Sequence, residues 1–294
     1  MVKAYLTLLT GVAAVSFAAV FIRLADAPPM VIATYRLVIA AVIMLPVASF
    51  RSFKGLNRLS KRDILLVALS SLFLALHFGL WITSLSYTSI ASSVVLVTSH
   101  PAFVAVLSYI LWREKLSRLT VAGIAIALAG LVVINYSGLS FNQESLSGNL
   151  LALLAAFAMG AYLLIGGQLR ERIDLLSYLT LIYSGAAVVL LAARLAMGYS
   201  LTGYSGETYV MMVLLALVPQ LIGHSSLNLA VRLVPVTLVS VAILGEPVGA
   251  TLLGSLILGE LPTANEIIGG VLILGGIFIV LRRNHVIQSD NPAL

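Results

Sequence analysis

The sequence predicts an all-α integral membrane protein with ten transmembrane helices, arranged as two inverted repeats of five. The chain is 61% hydrophobic and only 10% charged, whereas a soluble domain carries about 25% charged residues. Its apolar residues fall into runs of about 20, the length that a helix needs to cross a bilayer. The motifs His100-Pro101 and Glu246-Pro247 lie 146 residues apart, close to half the chain, which indicates a repeat.

Ten apolar runs are candidates for spanning helices. They cover residues 4–22, 31–49, 64–85, 89–112, 119–135, 148–168, 175–197, 208–230, 236–259 and 265–282. The first run follows Lys3 and, at about 19 residues, exceeds the apolar core of a signal peptide, so we interpret it as a retained helix. The connections are short, so we expect one compact bundle with repeats at 4–136 and 148–282 and a cytoplasmic tail at 283–294.

The distribution of lysine and arginine predicts the orientation of the bundle, because these residues concentrate in the cytoplasmic loops of membrane proteins. With the N-terminus inside, all of the 17 Lys and Arg residues except Arg23, Arg36 and Arg194 fall in or beside inside loops. We therefore expect a multi-pass protein of the cell (inner or plasma) membrane with both termini cytoplasmic.

Several residues superpose when the halves are shifted by 146 positions. They are Glu114 with Glu260, Ser117 with Thr263, Gly123 with Gly269 and Gly130 with Gly276. Five helices per repeat is an odd number, so the second repeat must insert upside down relative to the first. Inverted repeats are typical of secondary transporters, whose substrate sites lie near the midplane between the repeats.

The repeat also predicts structural roles around helices 5 and 10. Ser117 and Thr263 are expected N-caps, and Thr263 with Glu266 fits a capping box. Glu114 and Glu260 end helices 4 and 9, and we expect them to pair with the following helix and hold the turn. Glycines spaced by seven on helices 5 and 10 predict close helix contact.

An ionisable residue precedes a proline at the centre of helices 4 and 9. Pro101 and Pro247 cannot donate a backbone hydrogen bond, so they predict broken helices that line a cavity, with a simple packing kink as the alternative. A charge at mid-bilayer is costly and usually faces the protein interior. We expect Glu246 to bind a substrate ammonium group or a proton, with His100 as its candidate partner. A static structural pair is the alternative.

Two further helices carry polar residues one turn apart. Trp81 follows His77 by four residues and Asn228 follows His224 by four, so each pair shares a helix face. Histidine titrates near neutrality, which suits substrate or proton binding, although a lone intramembrane histidine can simply bond a neighbouring helix. Arg36, inside helix 2, is expected either to reach a substrate carboxylate or to extend to the membrane surface.

The sequence gives little support to several other classes of function. Cysteine is absent and no two histidines have a spacing such as H-x-x-x-H, so we predict no metal and no cofactor. The net charge of +6 comes from short loops and does not indicate nucleic acid. No G-x-x-x-x-G-K-[ST] motif is present, which excludes direct ATP drive by this chain.

Several segments within residues 223–281 form a familiar pattern. They are Gly223-His224-Ser-Ser-Leu-Asn228, Val234-Pro235, Glu246-Pro247, Leu258-Gly259-Glu260-Leu261 and Ile268-Gly269-Gly270. This pattern resembles the second EamA domain of the drug/metabolite transporter superfamily. The first half resembles the same domain more loosely, with His100 in place of the usual glutamate. The resemblance implies a permease, proton-linked or facilitative, that exports amino acids or other small metabolites. It also implies a cavity lined mainly by helices 1–4 and 6–9, with helices 5 and 10 as peripheral supports.

We therefore predict a secondary transporter, an exporter of small metabolites that works by alternating access, and not an enzyme. Amino acids or related amphiphilic compounds are the best candidate substrates, because Trp81 offers an aromatic face, Glu246 an ammonium partner and Arg36 a carboxylate partner. The alternatives are a transporter of nucleotide- or lipid-linked sugars, a channel, and an intramembrane enzyme that uses Glu246 and the histidines as acid and base. The expected partners are a small-molecule substrate and the lipid bilayer. Proton coupling, and the choice between monomer and homodimer, are left open.

Overall fold

The computed structural model describes residues 2–51, 59–113, 115–136, 139, 143, 145–170, 172–259 and 262–290. Ten helical segments make up the described chain. They are α1 (Val2–Leu24), α2 (Pro29–Arg51), α3 (Lys61–Ser84), α4 (Ile90–Val97 and His100–Trp112), α5 (Arg118–Ile134), α6 (Leu146–Arg170), α7 (Leu175–Ala196), α8 (Gly206–Leu215, Ala216–His224 and Ser225–Ala230), α9 (Val236–Ile243 and Gly245–Leu258) and α10 (Ala264–Asp290).

The predicted fold class is confirmed, because each of the ten predicted apolar runs coincides with one of these segments. Within the described residues, nine are long and apolar enough to cross a membrane, and α5 is a shorter apolar helix. Helical structure suits this environment because a helix satisfies its own backbone groups where water is absent. The bounds differ most at α10, which stays helical to Asp290 although the predicted span ends at residue 282. Neither glycine nor proline interrupts residues 277–291, so nothing in the sequence stops the helix earlier.

Helices α4 and α9 are each interrupted near their middle. The interruption lies at Thr98 and Ser99 in α4 and at Leu244 in α9. In both helices it comes just before a proline, Pro101 or Pro247, whose missing N–H leaves the carbonyl four residues earlier without its helical partner. The two repeats therefore place matching breaks at matching positions.

Helix α8 contains a π-helical stretch, Ala216–His224, with Pro219 inside it. A π-helical stretch adds a residue to the turn and rotates the side chains around it, and such stretches are frequent at functional sites. This feature could not be predicted from the sequence, because π-helical turns have no residue pattern of their own.

Contacts between the helices follow a two-fold pattern. Helix α1 packs on α8 as α6 packs on α3, and α1 packs on α9 as α6 packs on α4. The pairs α2 with α7, α4 with α9 and α5 with α10 join corresponding helices of the two repeats. The most extensive contacts between unlike helices thus have counterparts when the repeats are exchanged.

Helices α5 and α10 are held together by their glycines. A Cβ atom at Gly130 would lie 2.6 Å from the carbonyl oxygen of Gly269, and one at Gly123 would lie 2.9 Å from that of Gly276. The backbones therefore touch, which confirms the predicted close contact. Residue numbers rise along α5 while they fall along α10, so these corresponding helices are antiparallel, as inversion of the second repeat requires.

The N-termini of α5 and α10 carry the predicted caps. The Ser117 hydroxyl accepts a hydrogen bond from the Thr120 N–H at 3.1 Å. The Thr263 hydroxyl accepts from the Glu266 N–H at 3.3 Å, and Glu266 Oε2 accepts from the Thr263 N–H at 2.6 Å, which is a complete capping box. Glu114 and Glu260 lie outside the described residues.

The ten segments alternate in direction, so the bundle has two faces. We call the face at which α1 begins and α10 ends the terminal face, and the other the opposite face. Helix α1 runs parallel to α9, since Val12 lies against Gly245 and Ser16 against Gly249. The breaks in α4 and α9 fall between the two faces.

Candidate functional site

A small cavity lies among the repeats at the level of the helix breaks. Its volume is about 40 Å³, which is room for a few water molecules at about 10–15 Å³ each. Six of the residues singled out from the sequence line it, namely Arg36, His77, Trp81, His100, His224 and Glu246. They come from five helices, so the fold brings ionisable groups of both repeats together at one point.

The helices around this cavity are α1, α2, α3, α4, α6, α8 and α9. Among the described residues, α5 and α10 supply no part of the wall, in agreement with the peripheral position implied by the resemblance. Helix α7 also supplies none, which differs from the wall implied for helices 6–9. It packs on α2 and α3 instead, and it reaches α8 where the Tyr183 hydroxyl bonds to the Ser225 hydroxyl at 3.2 Å.

Arg36 is held rigidly in the wall of the cavity. Its side chain is only 1% exposed, so it does not extend to the membrane surface. The Nε group donates a hydrogen bond to Oε1 of Gln220 at 2.7 Å, and the guanidinium carbon lies 4.1 Å from the centre of the Phe78 ring. This arrangement leaves the two terminal nitrogens of Arg36 for a partner in the cavity.

Glu246 lies in the first turn of the second segment of α9 and is partly exposed. It is close enough to Arg36 for an electrostatic interaction, yet the two described side chains form no ion pair within 4.0 Å. His100 lines the same cavity with no hydrogen bond to Glu246, and its Nε2 atom is buried without a partner in the described chain. The suggested His100–Glu246 pair is therefore not formed in this conformation.

The other two histidines pack against aromatic rings. His77 Nδ1 lies 3.1 Å from the Ala155 carbonyl, which can only accept, so Nδ1 carries the proton. The His77 ring stacks on Trp81 with 6.1 Å between ring centres and 20° between planes. His224 meets Phe78 edge to face at 5.5 Å. The wall of the cavity thus consists of ionisable side chains with aromatic rings packed between them.

Asn228 lies beside the cavity, on its terminal side, instead of in its wall. Its Nδ2 group donates to the His224 carbonyl and to the Tyr162 hydroxyl, both at 2.7 Å. The Tyr178 hydroxyl bonds to the Ser70 hydroxyl at 3.3 Å. We call Ser70, Tyr162, Tyr178 and Asn228 the tyrosine layer. All four are buried, and they join α3, α6, α7 and α8.

The tyrosine layer separates the cavity from a pocket at the terminal face. Along α6, Met159 lines the cavity, Tyr162 belongs to the layer, and Gly167 lines the pocket. This terminal pocket has a volume of about 350 Å³. Among the described residues, none lines both spaces, so the cavity and the terminal pocket are separate.

Towards the opposite face the cavity continues into a vestibule of about 180 Å³. Trp81, Val97, Thr98 and Glu246 line both spaces, so no layer of side chains separates them. Pro247 lines the vestibule, Pro101 is buried next to His100, and Glu266 lies at the far end, at the start of α10. Glu246 is therefore reached from the opposite face.

Several residues at this site were not singled out from the sequence. Gln220 carried a usable signal, because it is a polar residue four positions before His224 in an apolar run. Phe78 and the buried tyrosines carried none, since aromatic residues are common in any membrane helix. No group of three or more His, Asp or Glu residues suited to a metal ion occurs in the part of the chain that the structure describes.

Comparison with known proteins relates this chain to a family of transporters. The model of the EamA-like transporter family matches residues 2–136 and 146–282. The chain is 25% identical over 283 residues to the uncharacterized transporter YdfC of Bacillus subtilis, covering 95% of this chain and 91% of YdfC. It is also 25% identical over 217 residues to a protein of Salmonella typhimurium named a probable amino-acid metabolite efflux pump, covering 71% and 70% of the two chains.

A solved crystal structure shares the fold, with a TM-score of 0.83 at 19% identity and coverage of 98% of this chain and 99% of the other. The family match spans nearly all of the chain in two segments. The protein is a multi-pass membrane transporter that belongs to the EamA-like transporter family.

Proposed function

We propose that this transporter exports amino acids or related amphiphilic metabolites. The observation that carries the proposal is that Arg36 and Glu246 line one cavity without forming an ion pair. A charge within the membrane that forms no ion pair is costly, so each is kept for a ligand of opposite charge. An amino acid meets both, with its carboxylate on Arg36 and its ammonium group on Glu246. Trp81 and Phe78 supply apolar contacts for its side chain.

The efflux direction and the substrate class draw on the Salmonella relative, which is named a probable amino-acid metabolite efflux pump. At 25% identity the name supports the class of substrate and not its identity. The positive residues around the terminal face support a cytoplasmic location for that face in the cell membrane. Export then means movement from the terminal to the opposite face.

We propose alternating access as the mechanism, with residues 4–136 and 148–282 as the two moving repeats and 283–294 as a cytoplasmic extension. The vestibule makes the present conformation accessible from the opposite face, while the tyrosine layer closes the terminal side. Rocking of the repeats would open that layer and close the vestibule. A proton on Glu246 would compete with the substrate's ammonium group, which is how a proton gradient would drive export.

Three other functions receive less support. A transporter of nucleotide- or lipid-linked sugars needs a basic cavity, and here Arg36 is the one arginine among the described residues of the wall and shares the cavity with Glu246. A channel needs a continuous polar path, whereas the tyrosine layer interrupts this one. An acid–base enzyme would use Glu246 and the histidines, but the family match and the names of the relatives indicate transport.

Replacing Tyr162 with phenylalanine should increase access to the cavity from the terminal face. The change removes the acceptor at 2.7 Å from Asn228 Nδ2 and leaves a buried N–H unsatisfied, which costs about 1–3 kcal/mol in the closed state only. Because the chain has no cysteine, Ile243→Cys in the cavity wall gives a single labelling site. Labelling by an impermeant thiol reagent from the terminal side should rise several-fold.

Tyr35→Phe is the matched control, since the Tyr35 hydroxyl donates to the Leu201 carbonyl at 2.6 Å near the opposite face. It should leave labelling from the terminal side unchanged. If Tyr162→Phe also leaves that labelling unchanged, the tyrosine layer is not the gate.

The proposed function is tested by reconstituting the protein in liposomes and measuring uptake of labelled amino acids, with and without a proton gradient. Saturable uptake of at least one amino acid, increased by the gradient, is the expected result. Uptake without any gradient effect would make the protein a facilitative transporter. Absence of uptake for the whole panel would reject amino acids as the substrate class, and conductance without saturation would indicate a channel.

A further inference from the structure

We propose that Gln220 determines selectivity for carboxylates, by fixing the guanidinium of Arg36 as a two-pronged binding group. This inference rests on the proposed function, because it concerns the same cavity, and it assigns the carboxylate half of the substrate to a defined cluster of donors. Gln220 itself is a positioning residue, since it acts through Arg36.

The π-helical stretch of α8 places Gln220 where it meets Arg36. The Ser225 N–H bonds to the Gln220 carbonyl five residues earlier, which is the π-helical pattern. The Tyr183 hydroxyl donates to the same carbonyl at 3.4 Å and the Ser225 hydroxyl at 3.5 Å. The backbone of Gln220 is therefore anchored, and its side chain, 0% exposed, has little room to move.

Hydrogen bonding sets the orientation of the Gln220 amide. Arginine can only donate, so its Nε group must meet Oε1 of the amide and not Nε2. The Nε2 group is left buried without a hydrogen-bond partner in the described chain. A buried unpaired donor is costly and calls for an explanation. Among the described residues that line the cavity, Arg36 is present and Gln220 is not, so the donors offered to a ligand there are the terminal nitrogens of Arg36.

Phe78 completes the cluster from the other side. Its ring lies 4.1 Å from the guanidinium carbon and meets His224 at its edge, so it holds the plane of the guanidinium by a cation–π contact. The Oε1 atom of Gln220 is already occupied by Arg36 Nε, so the groups of Arg36 and Gln220 that remain without a partner are donors. A carboxylate, with two oxygens and about four lone-pair sites, is the ligand that matches them. A neutral amide would bring its own donors into the cluster and lose this match.

The test uses Trp81 as a fluorescent reporter in the cavity. The chain has two tryptophans, and Trp112→Phe at the exposed end of α4 leaves Trp81 alone. Purified full-length protein is titrated with L-leucine and L-threonine and with their amides, leucinamide and threoninamide, which keep the ammonium group and lose the carboxylate. In this background we expect the acids to bind at least about tenfold more tightly than the amides, as for a hydrogen bond to a charged group.

Two substitutions then separate Gln220 from its surroundings. Gln220→Leu should reduce the preference for acid over amide to less than about threefold, because Arg36 loses its anchor. Gln220→Glu keeps the size of the side chain but places a carboxylate on Arg36. It should therefore weaken binding of the acids by about tenfold or more. Gln168→Leu makes the same chemical change at the terminal pocket and should keep the full preference. Melting temperatures confirm that each variant is folded.

Each possible result of these titrations either supports or overturns the inference. Equal binding of acid and amide by the otherwise unchanged protein overturns the carboxylate site, while the proposed transport function stands. Full preference retained in both Gln220 variants overturns the role of Gln220. Binding of neither acids nor amides rejects amino acids as the substrate class, and this inference with it.

Discussion

Replacing Glu246 with glutamine should lower amino-acid uptake into liposomes by about tenfold or more and abolish its dependence on a proton gradient. Glutamine keeps the size of the side chain and removes its charge, so the loss reports on charge alone. A hydrogen bond to a charged group contributes about 1.5–3 kcal/mol, which corresponds to tenfold or more in binding. Glutamine also cannot take up and release a proton, so a gradient has nothing to act on at this position.

The matched control is Glu266→Gln. Glu266 lines the far end of the same vestibule, but it is committed to the capping box with Thr263, and glutamine also completes such a box. We expect this variant to transport normally and to respond to the gradient. If Glu246→Gln behaves in the same way, Glu246 has only a structural role and the proposed coupling is wrong.

Substituting leucine for Gly130 should destabilise the protein more than any other single change at a glycine of α5. A Cβ atom there would lie 2.6 Å from the Gly269 carbonyl oxygen and 2.8 Å from the Ile273 backbone nitrogen. Both are backbone atoms, so neither can move aside without shifting a helix. Overpacking costs about 1–3 kcal/mol, and we expect a value near 3 kcal/mol because α5 and α10 must separate.

Thermal unfolding in detergent measures this effect. Gly275→Leu is the control on α10, since a Cβ at Gly275 meets nothing within 4 Å. It should leave the melting temperature nearly unchanged, while Gly130→Leu lowers it by several degrees or prevents assembly. Equal melting temperatures for the two variants would show that the glycine contact does not hold the helices together.

Properties that depend on local sequence were predictable without a structure. The ten spans followed from apolar runs, because the length of a run and the thickness of the bilayer are both fixed by simple geometry. The caps at Ser117 and Thr263 depend on residues three positions apart. The inversion followed from counting five helices per repeat, and the glycine contact from a spacing of seven on corresponding helices.

The candidate site was predictable only as a set of residues. Intramembrane polar groups are rare and costly, so Arg36, His77, His100, His224 and Glu246 stood out, and the structure brings all five to one cavity. Their mutual contacts could not be foreseen. The suggested pair of His100 and Glu246 is not formed, although the 146-residue shift superposes them, because symmetry relates positions and does not bring side chains together.

The contacts that decide the chemistry belong to the tertiary structure alone. The bond between Arg36 and Gln220 joins residues 184 positions apart, and Asn228 meets Tyr162 across 66 positions. No local sequence pattern predicts contacts between residues so far apart in the chain. The π-helical turn that orients Gln220 has no sequence signature either. The sequence by itself determined the spans, the repeat and the list of polar residues, since these depend on hydropathy and local hydrogen bonding. Only helix packing decided which donors lack an acceptor, and on which side the cavity is closed.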